Sequence, residues 1–152
     1  MTTPTVVLAS DAQTWRADVR AGVLAMLALF EAAHPGVIRI HWANLPQSLK
    51  AEGPFVYLAP IHETITHDMG TRITTFEGAF GYVDVLVDPM ETADRVSVFA
   101  DFMRDLCSAN VRMLPYGMFE QTGFSEGELG EGGSQMTNNL AAWRFVIQEG
   151  RI

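Results

Sequence analysis

The stretch RITTFEGAFGYVDVLVDPMETADRVSVFADFMRDL, Arg72 to Leu106, decides the fold. From Phe80 its side chains alternate, with Phe80, Tyr82, Asp84 and Leu86 on one face and Gly81, Val83, Val85 and Val87 on the other. β-Branched and aromatic residues suit a pleated surface, so the first part reads as one long strand. Both faces are mostly apolar toward its end, which places it in the middle of a sheet. Asp88-Pro89 then starts a helix. The Asp side chain accepts a free amide N–H, and Pro at the first helical position lacks only an N–H that had no partner. Glu91 completes the capping-box spacing. Val96, Phe99, Met103 and Leu106 recur at three and four residues and form one apolar stripe. The helix should end near Ser108-Ala109-Asn110, with Asn110 as a left-handed cap. No catalytic signature lies inside this stretch, which reads as a scaffold for assembly.

Upstream, residues 1–9 read as an extended N-terminal arm. Ser10-Asp11-Ala12-Gln13 fits a capping box, and Trp15, Val19, Val23, Met26, Leu27 and Phe30 form a helical stripe. His34-Pro35-Gly36 stops that helix. Val37 to Trp42 reads as a strand with Arg39 and His41 on one face and Ile38, Ile40 and Trp42 on the other. Leu45 to Gly53 is a loop, and Pro54 to Leu58 begins another strand. His62 to Gly70 is polar, an edge hairpin or loop. Downstream, a strand is expected near Val111 to Gln121. Residues 122–135, TGFSEGELGEGGSQ, hold five Gly, three Glu and no basic residue, so a mobile loop is expected there. Asn138 to Gln148 closes the chain as a strand with Trp143, Phe145 and Ile147 on one face. The order α-β-β-(β)-β-α-β-β predicts an α+β fold. Its mostly antiparallel mixed sheet carries two amphipathic helices on one face, within a single domain over residues 10–152. The other face still carries apolar residues, which favours a partner subunit.

The totals narrow the function. At 152 residues, 48% of them hydrophobic and 18% charged, the chain can build one globular core. Ten Lys+Arg against 18 Asp+Glu give a net charge of −8, which disfavours duplex nucleic acid as a main partner. One cysteine, Cys107, excludes an intrachain disulfide framework and suits a reducing compartment. The first ten residues carry neither a basic run nor a long apolar stretch, so no secretory leader is expected. The most apolar segment, Ala21 to Phe30, is too short to span a bilayer.

Candidate chemistry is sparse. His62-Glu63-Thr64-Ile65-Thr66-His67 invites a zinc reading, but a metalloprotease helix needs histidines four residues apart and these are five apart. Thr-Ile-Thr favours extended structure, in which His62 and His67 point to opposite faces. A polar edge segment is the plainer reading. His34 sits at a helix end, where the dipole favours a cation. His41 lies on a strand near Arg39, and neither histidine has a nearby partner for a catalytic pair. Cys107 reads as a small core residue. Asp84 could serve as a general base, yet an edge-facing or interface-paired carboxylate fits its setting better. Glu126, Glu128 and Glu131 lack the Asp/Asn alternation of a calcium loop. No phosphate loop is present. No catalytic, cofactor or metal residue is therefore assigned. Eight Met residues, with Met113, Met118 and Met136 flanking the Gly/Glu loop, fit adaptable contact surfaces or ordinary core filling equally.

His41-Trp42-Ala43-Asn44-Leu45-Pro46, followed by Gly53-Pro54-Phe55-Val56-Tyr57-Leu58, resembles a passage of the tail terminator-like (tail completion) proteins of long-tailed bacteriophages. Arg72, Gly78 and then Gly81-Tyr82-Val83-Asp84-Val85 resemble the strand that follows in that family. The capped helix Pro89 to Leu106 and the closing strand Asn139 to Gln148 occur in the matching order. The resemblance covers roughly residues 15–149, and the N-terminal arm and the Gly/Glu loop depart from it. It implies a sheet with two helices, assembled as a hexameric ring of copies of the chain, with no enzymatic activity and no cofactor. The ring would cap the tail tube protein and meet the head-side connector or stopper. The genome DNA would pass through its lumen without specific binding, helped by acidic charge. The implied location is the virion tail or neck, after assembly in the host bacterial cytoplasm, with no membrane partner. The expected contact residues are Arg72, Glu77, Asp84, Phe124, Glu126, Glu128, Leu129 and Glu131. Another neck or tail-completion role is the first alternative. A small metal-dependent hydrolase using His62, Glu63 and His67, or an α+β module binding a small molecule or peptide, are the others.

Overall fold

A computed structural model describes residues 10–45, 54–85, 88–129 and 136–149; within these, the side chains of 10–13, 85, 128 and 129 are left aside. The expected arm over 1–9 lies outside the described residues. The chain forms helix α1 (Ser10–Ala33), strand β1 (Ile38–Arg39), a 3₁₀ turn at Trp42–Asn44, and strands β2 (Phe55–Leu58), β3 (His62–Asp68) and β4 (Thr71–Val85). Helix α2 (Pro89–Ala109) and strands β5 (Met118–Leu129) and β6 (Met136–Glu149) follow. This is the α+β fold expected from the sequence, with a mixed sheet and, among the described residues, two long helices. The six strands run in the order β1-β2-β4-β6-β5, and β3 pairs with β4 beside β2. Among the described residues, only β1 and β2 are parallel; the other pairs are antiparallel.

Strand β4 is the spine. Along one edge it pairs with β6 from Arg72 to Val85. Along the other it pairs with β3 up to Glu77 and with β2 from Phe80. Its alternation sends Phe76, Phe80 and Tyr82 toward the helices, where Val23, Leu27 and Phe30 of α1 and Val96, Phe99 and Met103 of α2 bury them. Phe99 stacks on Tyr82 at 5.0 Å and meets Phe30 edge-on at 5.2 Å, so strand and both helices share one aromatic junction. Trp143, Phe145 and Ile147 of β6 extend the same core, as their spacing predicted.

Helix α2 starts as the sequence indicated. Asp88 accepts from the Met90 N–H at 3.0 Å, and Pro89 follows in the first turn. Its end differs, because Asn110 has φ −116° and is not left-handed. Its side-chain amide instead donates to the Leu106 carbonyl at 2.8 Å, and its backbone N–H donates to Cys107. A side-chain amide satisfies an orphan carbonyl without the left-handed turn.

Three other expectations shift. The strand predicted over Val37–Trp42 shrinks to Ile38–Arg39, because His41 Nδ1 accepts the Ala43 N–H at 3.2 Å and draws the chain into the 3₁₀ turn. Residues 111–117 are turns, so the strand predicted from Val111 begins only at Met118. It then runs to Leu129, through the first part of the expected mobile loop. Pairing with β6 supplies backbone hydrogen bonds whatever the side chains are, and a register shift between Gln121 and Gly123 absorbs Thr122. Residues 130–135 lie outside the described residues. The polar segment before β4 is an edge hairpin, turned by Met69 (φ 48°) and Gly70 (φ 83°), both in the left-handed form that a two-residue hairpin needs.

Two glycines let β4 sit in the centre. A Cβ on Gly78 would lie 2.6 Å from the Trp143 ring, and one on Gly81 would lie 2.1 Å from the Tyr57 ring. The Tyr57 ring is fixed by its hydroxyl donating to Asn138 at 2.7 Å, so it cannot swing away freely. Gly81→Ala should therefore cost about 1–3 kcal/mol in chemical denaturation. Gly123→Ala, where a Cβ meets nothing within 4 Å, should stay within about 0.5 kcal/mol of the parent.

Candidate functional site

The corner between β4 and α2 holds the most organised polar group. The chain reverses there, and α2 brings Arg95 back over the end of β4. Arg95 Nε donates to Asp84 Oδ2 at 2.6 Å and Nη2 donates to Oδ1 at 3.2 Å, a two-point bond. The Tyr82 hydroxyl donates to Asp84 Oδ2 at 3.0 Å, and Arg95 Nη2 also reaches Thr92 Oγ1. Burial and the Asp84 carboxylate push the Tyr82 hydroxyl up, out of titrating range. The bond to Asp84 holds the Arg95 guanidinium above its ordinary value. A carboxylate gripped in this way fastens the helix to the end of the strand.

Asp84, expected at an interface, is thus only 3% exposed and inside the protomer. The expected contact residues do not form one site. Arg72 lies at the far end of β4, bonded at two points to Glu149 at 2.6 and 2.7 Å. Glu77 is exposed on the face away from the helices, opposite Arg144 in register. Phe124 is half-buried, 6.2 Å from Phe99, at the other end and edge of the sheet. Glu126 is exposed beyond it. Glu128 and Leu129 close β5, and Glu131 lies outside the described residues.

The face away from the helices is mixed. Near β2 it holds a second apolar cluster of Phe55, Tyr57 and Val83, against which Ile40, Leu45 and Leu140 pack. The segment after β1 therefore covers part of the surface that the sequence had assigned to a partner. Farther along, Glu120 and Arg144 form an ion pair, and Met118 is 46% exposed. Ile73 and Val146 lie half-buried on this open face.

The histidines separate. His62 pairs in register with Glu77 and His67 with Arg72, which sets them on opposite faces of β3. Glu63 is held by Arg16 at 3.3 Å. Among the described residues, no group of three or more His, Cys, Asp and Glu could hold a metal ion. His34 donates from Nδ1 to the Phe30 carbonyl at 3.0 Å and stacks on the Phe30 ring. Cys107 is 2% exposed, and burial pushes its thiol up to about 12, which leaves little thiolate at neutral pH. A hollow of about 550 Å³ opens between the end of α1 and the start of α2, lined by Phe30, Val37, Pro54, Tyr82, Arg95 and Val98. Of its polar groups, Tyr82 and Arg95 are joined through Asp84, and His34 bonds the Phe30 carbonyl. No helix among the described residues is long and apolar enough to cross a membrane.

Sequence reasoning missed Arg95 as the partner of Asp84, because the bond depends on the path of α2. It also missed the exposed side of Trp42, 44% accessible beside a groove lined by Arg20, Leu24, Pro60 and Ile61. No protein-family model matches the chain, and no curated protein is significantly similar to it.

The Asp84–Arg95 bond makes an asymmetric prediction. Arg95→Ala should cost roughly 2–4 kcal/mol in urea denaturation, since Asp84 stays buried without its cation. Asp84→Ala should cost less, because the Arg95 side chain, 40% exposed, can turn to water. The double variant should fall well short of the sum of the two.

Proposed function

We propose that the chain is a structural virion protein of the tail terminator type, a ring subunit that caps a tail tube and joins it to the head-side connector. One observation carries the structural part of this reading. The sheet is covered by helices on one face, while the other presents Met118, Ile73 and Val146 around the Glu77, Arg144 and Glu120 belt. Exposed and half-buried apolar side chains ringed by charge are the usual dress of a protein contact. The phage identity rests on the resemblance of Trp42-Ala43-Asn44, Phe55 to Leu58 and the Gly78 to Val85 strand. On this reading the partners are further copies of the chain, the tube protein and the connector. DNA would pass through a lumen it does not bind, and the ring would reside in the virion tail or neck. Another neck or tail-completion role uses the same surfaces.

Native mass spectrometry and cryo-EM of the protein with tail tube should show rings. A strict monomer in the presence of tube, absent from purified virions, would sink the reading. Met118→Asp should abolish ring formation while changing unfolding stability by less than about 0.5 kcal/mol, since this side chain is already exposed.

A further inference from the structure

The outer edge of β3 is bare. Among the described residues, β3 pairs only with β4, and all seven of its residues are exposed. Its pairing with β4 is unbroken from His62 to Asp68, with no bulge to bend the edge away. The opposite sheet edge, β5, is interrupted by the register shift at Gln121–Gly123. Proteins usually blunt a regular free edge with Lys, Pro or a bulge. Here the centre of the edge is Thr64-Ile65-Thr66, with Ile65 52% exposed.

The charged residues flanking that centre complement themselves when the strand is turned end for end. With Ile65 set against Ile65 of a second copy, Thr64 faces Thr66, Glu63 faces His67 and His62 faces Asp68. The members of each pair share a face, because opposed residues in an antiparallel ladder point the same way. Each imidazole can donate to the carboxylate opposite. A slip of two residues in either direction removes all four carboxylate–imidazole pairs, so the pattern fixes one register. We propose that β3 is a self-docking edge. Two copies of the chain pair through antiparallel β3 strands about a two-fold axis at Ile65, joining their six-stranded sheets into one with all helices on the same side.

A separate feature falls where this pairing needs it. Met69, at the tip of the hairpin, is 91% exposed. The register sets Asp68 of one copy against His62 of the other, so the hairpin tip that begins at Met69 comes beside Ile61, on the wall of the groove that Trp42 and Pro60 also line. The two-fold thus brings Met69, the most exposed large apolar side chain among the described residues, next to an apolar groove at both ends of the contact. This inference does not rest on the terminator reading, since it requires a pair of copies and no ring.

Symmetric cross-linking tests it. Ile65→Cys should form a disulfide-linked dimer under mild oxidation, because opposed Cα atoms in an antiparallel pair lie about 4.5–5.5 Å apart, within disulfide reach. Thr64→Cys alone should cross-link at least about tenfold less, its diagonal partner lying about 7–8 Å away. Thr64→Cys mixed with Thr66→Cys should cross-link efficiently. The native Cys107 is buried and does not compete. Without oxidant, His67→Glu should weaken dimerisation about tenfold by setting like charges against Glu63 twice, and the exchange Glu63→His/His67→Glu should restore it. Equal cross-linking at positions 64 and 65 would overturn the proposal, as would a strict monomer by light scattering at the highest soluble concentration. Rings that form with no cross-link at Ile65→Cys would overturn it and leave the terminator reading standing.

Discussion

Strand β4 is hydrogen-bonded on both edges, and the rest of the structure is arranged by that constraint. Its fifteen residues pair with β6 on one side and with β2 and β3 on the other, so most of its backbone N–H and C=O groups are bonded within the sheet. A strand in this position must be apolar or glycine on both faces wherever something packs on it. Phe76, Phe80 and Tyr82 fill the helix side, while Gly81 and Val83 accept Tyr57 and Leu140 on the other. Helix α2 is then fastened to the end of the same strand by Asp84 and Arg95. The order of the sheet, the position of both helices and the direction of the hairpin all follow from these contacts.

The division of polar residues follows the same logic. At the buried end of β4 a carboxylate is tolerable only with a partner, and Arg95, Tyr82 and Thr92 together form that partnership. At the exposed end Arg72 and Glu149 pair in partial contact with water, where the bond adds little to stability and leaves the surface adaptable. Between them the open face alternates charged pairs with half-buried Ile73 and Val146. A surface of this kind holds its shape alone and still gains by being covered. The contacts proposed above would form on the open face and along the β3 edge.

Much of this was readable beforehand. The stripe Val19, Val23, Met26, Leu27 and Phe30 marked the buried side of α1, and Asp88-Pro89 marked the start of α2, because caps and periodicity act over a few residues. The Gly/Glu segment was misread as loop through residue 129 since its composition is poor in apolar residues. Strand β5 owes its order there to β6, a neighbour distant in sequence for most of its length. The His41–Asn44 turn was misread as strand because one imidazole bonded to a nearby amide outweighs weak alternation. Of the candidate contact residues, Arg72, Glu77 and Glu126 have exposed or half-exposed positions, while Asp84 is withdrawn into the core.

By itself the sequence determined the two amphipathic helices, the start of α2, the buried face of each helix and the α+β class. These depend on local hydrogen bonding and on side-chain periods of 3.6 and 2, which a single chain displays directly. Only the tertiary structure decided that Asp84 meets Arg95, that Tyr57 lies in the space left by Gly81, and that, among the described residues, β3 pairs only with β4. Those facts join residues far apart along the chain. The first is set by the path of α2 and the second by how β2 lines up against β4, where a one-residue change of register would undo it.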